Sequence, residues 1–234
     1  MIKPYYETEL GKLYHGDCLE ILPQLTEKVD LVLTDPPYGL GESSLEWKEK
    51  GYKRISEAWD ERPQTEFLSL MKTVPSILCF CNFNSIESFL NKGVELFFKR
   101  NGILVWDKIN TMPNITARGY QFSHEFIIWW TTSKNWCWKA PKQKRDILRF
   151  TWSEGNCERV HPSQKPYALI ADLLGCHSLP LNLILDPFLG SGTTAIACER
   201  LRRRWIGIEF NEEYCDIAIK RIKQEQSQLK LAGI

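Results

Sequence analysis

No apolar run in this 234-residue sequence approaches the length needed to cross a bilayer, and its opening, Met1-Ile2-Lys3-Pro4, carries no apolar signal stretch. Neither a membrane span nor an exported precursor is expected, and a cytoplasmic protein is. Paired cysteines are also missing. Eight cysteines are scattered, none in a Cys-x-x-Cys pair, and Cys79, Cys81 and Cys198 sit inside apolar runs. That usage fits reduced, buried thiols rather than a disulfide framework. Cys157 and His161 have a loosely metal-like spacing, but no second pair accompanies them, so no metal site is expected. There is no internal repeat and no low-complexity tract. Nor is there an excess of charge: 30 Lys and Arg against 29 Asp and Glu leave +1. Net charge therefore neither favours nor disfavours a nucleic-acid partner.

What the chain does have is apolar content, 43% of its residues, enough to bury a sizeable core. Its length suits a single α/β domain with inserted loops. Compact apolar runs read as strands at Leu13–His15, Val29–Thr34, Ser76–Cys81, Ile103–Trp106, Phe126–Trp130, Leu183–Leu185 and Trp205–Ile208. Helical stretches separate them: Asp17–Leu25, Gln64–Thr73, one capped by Ser85, one from Pro166 to Gly175, Thr193–Leu201, and a last one capped by Asn211 and running past Ile222. This alternation implies a doubly wound, mostly parallel sheet covered on both faces. Leu40–Arg62 mixes glycine, serine and both signs of charge, is too long for an ordinary connection, and reads as a mobile functional loop. Asn110–Gly119 and Ser133–Val160 are loop-rich. From Lys134 to Phe150, Lys134, Lys139, Lys142, Lys144, Arg145 and Arg149 are balanced only by Asp146, with Trp136 and Trp138 interleaved. Such a stretch fits a solvated basic loop and equally a phosphate-tracking surface.

Two segments, far apart, carry the chemistry. Near the end, Asp186-Pro187-Phe188-Leu189-Gly190-Ser191-Gly192-Thr193-Thr194 follows a strand and opens a helix. Gly190 and Gly192 let the backbone pass close to a ligand, and the helix start presents free N–H groups. No Lys-Ser/Thr follows, so this is not a P-loop, and the third glycine of a dinucleotide fingerprint is missing. The next strand ends at Glu209, where an acid accepts from ribose hydroxyls. A tight strand–helix turn would explain the glycines alone; Asp186 and Glu209 at successive strand ends favour a nucleoside site. Near the start, Thr34-Asp35-Pro36-Pro37-Tyr38-Gly39 follows another strand. Pro36 and Pro37 have no N–H to donate and leave carbonyls as acceptors, while Tyr38 offers an aromatic face. A planar base with an exocyclic amine needs such acceptors and a ring to stack on. A surface turn is the plainer reading of Asp-Pro.

Together these segments resemble the amino-methylating DNA methyltransferases, specifically the circularly permuted beta class, in which the catalytic motif precedes the S-adenosyl-L-methionine (AdoMet) motif. Gly16-Asp17-Cys18-Leu19-Glu20 is similar to that family's N-terminal cofactor strip. Val105-Trp106-Asp107-Lys108 and His124-Glu125-Phe126-Ile127 are similar to its framework strands, and His161-Pro162-Ser163-Gln164-Lys165-Pro166 to the motif before the cofactor strand. The resemblance covers nearly the whole chain. It implies a seven-stranded, Rossmann-like AdoMet-dependent methyltransferase sheet and one catalytic domain. The insertions at about 40–62 and 131–160 would be candidate DNA-recognition elements. Asp35, Pro36, Pro37 and Tyr38 would be catalytic. Asp17, Cys18, Asp35, Gln164, Lys165, Asp186, Phe188, Gly190, Ser191, Gly192, Thr193 and Glu209 would hold AdoMet, with Asp17 near the adenine and Gln164 and Lys165 near the methionine end. Double-stranded DNA is the implied partner, with a homodimer and a cognate restriction enzyme as further ones.

Adenine N6 is the implied target, because serine in place of Asp35 goes more often with cytosine N4. The alternatives are a cytosine-N4 enzyme, a catalytically silent DNA-binding subunit, a methyltransferase of RNA or protein glutamine, and a nicotinamide-dependent oxidoreductase. The interval Thr131–Val160 is shorter than the family's usual recognition region, which would leave recognition shared with Leu40–Arg62 or a second subunit. Other conspicuous residues take plainer readings. Trp129 and Trp130 read as strand packing, Arg200 and Arg202–Arg204 as a solvated turn, and His15 as lacking a partner.

Overall fold

The computed structural model describes residues 2–39, 64–110, 120–151 and 164–231. The expected loop at 40–62, part of the 131–160 insertion, His161, Pro162 and Ser163 lie outside the described residues. In chain order the elements are β1 (Tyr6–Glu7), β2 (Gly11–His15), α1 (Cys18–Ile21), β3 (Leu31–Thr34), β4 (Ser76–Cys81), α2 (Ile86–Glu95), β5 (Lys99–Asp107), β6 (His124–Thr131), β7 (Ile147–Arg149), α3 (Tyr167–His177), β8 (Leu183–Asp186), α4 (Thr193–Leu201), β9 (Arg204–Glu209) and α5 (Glu212–Leu231). Short 3-10 segments cover Leu22–Gln24 and Glu66–Leu70.

Apolar residues on both faces of the central strands divide the core in two. In β3, Leu31 and Leu33 pack on one side with Leu78 and Phe80 of β4, while Val32, Ile77 and Cys79 pack on the other. The first core is roofed by α3, α4 and α5 through Leu173, Ala195 and Ala218; the second by α1, α2 and the Glu66–Leu70 segment through Ile21, Phe89 and Phe67. Full burial of one such side chain contributes about 1.5–3 kcal/mol. That is why these strands carry no polar alternation.

The sheet runs β1-β2-β9-β8-β3-β4-β6-β5-β7. Neighbours from β2 to β4 are all parallel. β6 is antiparallel to both β4 and β5, so β5 runs with the parallel set. The C-terminal ends of β2, β9, β8, β3, β4 and β5 therefore share one edge with the N-terminus of β6. Thr34 and Asp186 end strands that lie side by side, although β3 and β8 are far apart in sequence.

The mostly parallel, doubly wound sheet matches the expectation, but the described residues form nine strands where seven were expected. The extra two are short edge strands: two-residue β1, antiparallel on β2, and three-residue β7, parallel on β5 within the basic stretch. The helix expected over Asp17–Leu25 stops at Ile21 and tightens into a 3-10 turn at Pro23, which has no N–H to continue the ladder. Gln64–Thr73 is likewise not an α-helix; its hydrogen bonds close after three residues, Leu68 to Thr65 and Met71 to Leu68. Ser85 does not cap α2. It turns back to Asn82, whose Oδ1 accepts from the Ser85 amide at 2.9 Å. Asn211 does cap α5, accepting from Glu213 N at 2.8 Å. Pro166 stands one position before the first turn of α3, which extends to His177. Among the described residues no helix is long and apolar enough to cross a membrane, and the seven described cysteines are free.

Candidate active site

The shared edge holds two unlike halves. At the end of β8 the chain turns through Gly190 (φ +54°) and Gly192 (φ +85°) into α4. Both angles lie where L side chains are disfavoured. A Cβ on Gly192 would stand 3.0 Å from the Ala218 Cβ, whereas one on Gly190 would meet nothing within 4 Å. Glu209, ending β9, clasps this turn: its Oε2 accepts from Gly190 N at 2.7 Å and its Oε1 from Asn211 N at 2.8 Å. From α5, Arg221 donates to the Ser191 carbonyl, and to Ser191 Oγ at 3.0 Å. Asp186 is 4% exposed. Burial lifts its carboxyl to about 6; the Thr194 and Thr34 hydroxyls and the Phe188 amide oppose the rise, and Asp35 adds to it.

The second half starts one strand away. Thr34 Oγ1 donates to Asp186 Oδ1 at 2.8 Å, joining the ends of β3 and β8. Asp35 comes next. Its Oδ1 accepts from the Tyr38 hydroxyl and its Oδ2 from Lys165 Nζ. The lysine stands just before α3, 7% exposed, over the Tyr38 and Phe80 rings. Glu125 enters from β6: Oε2 lies 3.3 Å from Lys165 Nζ and 3.4 Å from the Tyr38 hydroxyl, and Oε1 lies 2.6 Å from Lys108 Nζ. Two carboxylates and two ammonium groups thus balance in one half-buried chain. Burial raises the Asp35 carboxyl, with Lys165 opposing and Glu125 adding. Burial would also raise Glu125 and lower Lys165, but in each the partner charges win, leaving Glu125 low and Lys165 high.

Every sequence-expected site residue lies on or beside this edge, in varied roles. Asp17 caps α1, accepting from Leu19 N at 2.8 Å, with Cys18 buried behind it. Phe188 packs edge-to-face on Phe67 at 5.2 Å. Gln164 is buried beside Lys165, Pro36 is buried after Asp35, and Pro37 accepts from Gln64 N at 3.2 Å. Ser191 and Thr193 are buried in the turn. The Tyr38 hydroxyl is tied down, and its half-buried ring packs against the core. Glu125 and Lys108 read from sequence only as framework residues and Thr34 only as the start of its segment, none with a role in the site, and Arg221 does not stand out at all. A usable signal existed for the first two, since each is a charged residue at the terminus of an apolar strand, and antiparallel pairing brings those termini together.

Three plainer readings need correction. Arg203 is 8% exposed and donates to the Ser178 carbonyl at 3.1 Å. Arg200 pairs with Glu225, so neither belongs to a solvated turn. His15 has a partner, the Phe210 carbonyl at 3.1 Å. Trp130 is core, as expected, but Trp129 also stacks on Trp138 at 5.2 Å, binding the basic stretch to the sheet. In that stretch Lys144 pairs with Asp172 and Arg149 with Asp107. An open cleft of about 300 Å³ lies among Lys142, Lys144, Arg145, Arg149 and Phe150.

The chain is similar to known proteins in sequence and in fold. The family described as DNA methylase matches residues 29–220. The chain is 29% identical to the Type II methyltransferase M2.MboI of Moraxella bovis, over 98% of this chain and 94% of that protein. It is 26% identical to the Type II methyltransferase M.HinfI of Haemophilus influenzae, over 96% and 71%. The crystal structure of the M1.HpyAVI–SAM complex superposes with a TM-score of 0.70 at 31% identity, covering 91% of this chain and all of that one. PvuII DNA methyltransferase, cytosine-N4-specific, shares the fold at a TM-score of 0.75 and 19% identity, over 97% and 95%. With a family match over most of its length, this chain belongs to the DNA methylase family, the amino methyltransferases of the adenine-N6 and cytosine-N4 type.

Proposed function

We propose that the chain transfers a methyl group from AdoMet to the exocyclic N6 of adenine in DNA, acting on a base flipped out of the duplex. One observation carries the reading. Thr34 ties the Asp35 segment to Asp186, so an amino-accepting carboxylate stands one strand from a nucleoside-type glycine turn.

The residues present fit the cofactor. Space is open beside Gly190, and Asp186 and Glu209 stand at neighbouring strand ends. Glu209, held beside the turn by the Gly190 and Asn211 amides, is the acid placed for the ribose hydroxyls. AdoMet, when bound, supplies an electrophilic methyl group. The other work belongs to the chain. The amino nitrogen of adenine is a weak nucleophile because its lone pair is delocalised into the ring. Asp35, with the Pro36 carbonyl, accepts from its two N–H bonds, favouring tetrahedral geometry and the positive charge that grows there. Holding the base in place supplies much of the remaining rate. The amino group is inaccessible within a duplex, so the base leaves the stack and lies against Tyr38.

In the same reading the single domain takes DNA through the basic stretch within 131–160, where the cleft by Lys142 and Arg145 suits phosphate. The 40–62 insertion completes recognition. The permuted order of the two motifs fits this class, as do a cytosolic setting, a cognate restriction enzyme and a homodimer. Incubation with tritiated AdoMet and DNA, RNA or protein tests the reading, followed by nucleoside analysis of the labelled product. N6-methyladenine in DNA is expected; N4-methylcytosine would reassign the base, and label only in RNA or protein would end the proposal.

A further inference from the structure

Asp35 poses a problem for the function proposed above, on which this inference rests. One of its oxygens must accept an amino proton of the base, the Pro36 carbonyl taking the other, yet Tyr38 already donates to one oxygen and Lys165 to the other. A carboxylate oxygen has lone pairs for a second donor, but the donor already there must shift to admit the base. Loosening an ammonium group or a hydroxyl in a half-buried site costs less when another acceptor stands within reach.

Glu125 resolves this. Its Oε2 lies within reach of both groups, 3.3 Å from Lys165 Nζ and 3.4 Å from the Tyr38 hydroxyl. We propose that Glu125 is a positioning residue, the acceptor toward which Lys165 and Tyr38 shift their hydrogen bonds as the target base comes onto Asp35. No proton changes hands, and the charge of the group is conserved. Lys108, 2.6 Å from Oε1, holds the carboxylate in place for the exchange. The topology makes this possible. β6 runs against β4 and β5, with Glu125 opposite Trp106 and one residue before the Phe126–Cys81 pair, so its N-terminus lies at the edge where β3 ends.

Asp35 is faced by Tyr38 in its own segment, Lys165 before α3, Glu125 on β6, Asp186 on β8, and Cys79 and Cys81 on β4. Burial pushes both thiols up, so they stay neutral. Removing the Glu125 charge therefore lowers the pKa of Asp35.

The experiment is single-turnover methylation of unmethylated genomic DNA with tritiated AdoMet, from pH 5 to 9, comparing the parent, Glu125→Gln and Glu125→Asp. Glu125→Gln is expected to slow transfer about 10–100-fold, to leave AdoMet affinity within about twofold, and to move the acid limb of the pH profile to lower pH. Glu125→Asp, which keeps the charge, is expected to hold the parental acid limb and recover part of the rate. A parental rate and limb in Glu125→Gln overturn the inference; a slower rate with an unmoved limb overturns it too, because a structural role would do only that. If Glu125→Gln fails to fold by circular dichroism, a shifted acid limb in Glu125→Asp overturns it. An Asp35→Ala variant at full rate sinks the proposed function itself, a distinct result.

Discussion

The two halves of the site are built by opposite means. The turn after β8 is mostly backbone, with positive-φ glycines and amides clasped by Glu209, drawn from one stretch of chain and its next strand. The half around Asp35 is mostly side chain, with charges from β3, β5, β6 and the segment before α3 meeting at one point. The first half holds a fixed shape. The second holds a balance of charge, which the proposed exchange at Asp35 would rearrange. Changes in the first should therefore alter stability and cofactor affinity, and changes in the second should alter turnover.

Replacing Asp35 with Ala is the sharpest test. Transfer is expected to fall by about 10³-fold or more, with a far smaller loss of AdoMet affinity, measured by calorimetry. Next comes Asp186→Asn. A carboxyl whose pKa rises from 3.8 to about 6 on folding is destabilising when ionised, so the folded state loses stability as pH climbs from about 4 to 6. Asparagine removes that loss. The variant should gain up to about 3 kcal/mol over the parent at pH 7.5 and almost nothing at pH 4. His177 pulls the parent the other way. Burial holds its imidazole down to about 4, so stability falls as pH drops from 6.5 to 4. The difference between variant and parent in urea unfolding is therefore the readout.

Two glycine variants sharpen the first half further. Gly192→Ala combines a φ of +85° with a clash on Ala218 and should cost about 1–3 kcal/mol. Gly190→Ala meets open space and should cost about 1 kcal/mol, yet with AdoMet in that space, as proposed, it should weaken AdoMet the more of the two. Equal AdoMet affinities would remove that distinction. The smallest effects belong to Lys142→Ala and Arg145→Ala at the cleft. Each should weaken DNA binding severalfold and reduce the salt slope by about 1, seen in fluorescence anisotropy at several salt concentrations.

The difference between the halves also explains what was legible in the sequence. The glycine turn could be read because its residues are adjacent: Asp186, Gly190 and Gly192 announce a strand end, a close approach and a helix start. Glu209 followed from the next apolar run. Tyr38 and Asp35 were legible as types but not in their pairing, since Lys165 comes from 130 positions away. Glu125 was hidden because the reversal of β6 is a property of pairing, not composition. β1 and β7 are too short to show periodicity, and β7 lies in a stretch whose basic residues read as loop. Arg200 and Arg203 looked solvated because their partners, Glu225 and Ser178, lie outside the local window.

The bond between Thr34 and Asp186 spans 152 positions of sequence. A ribosome releases β2 and β3 long before β8 and β9, the strands that must lie against them. Until then the nascent chain carries open strand edges, exposed to wrong pairing, and neither half of the site has its neighbour. Folding of the site must wait until β8 and β9 have been made, and a protein that modifies genetic material has neither half in working order before then.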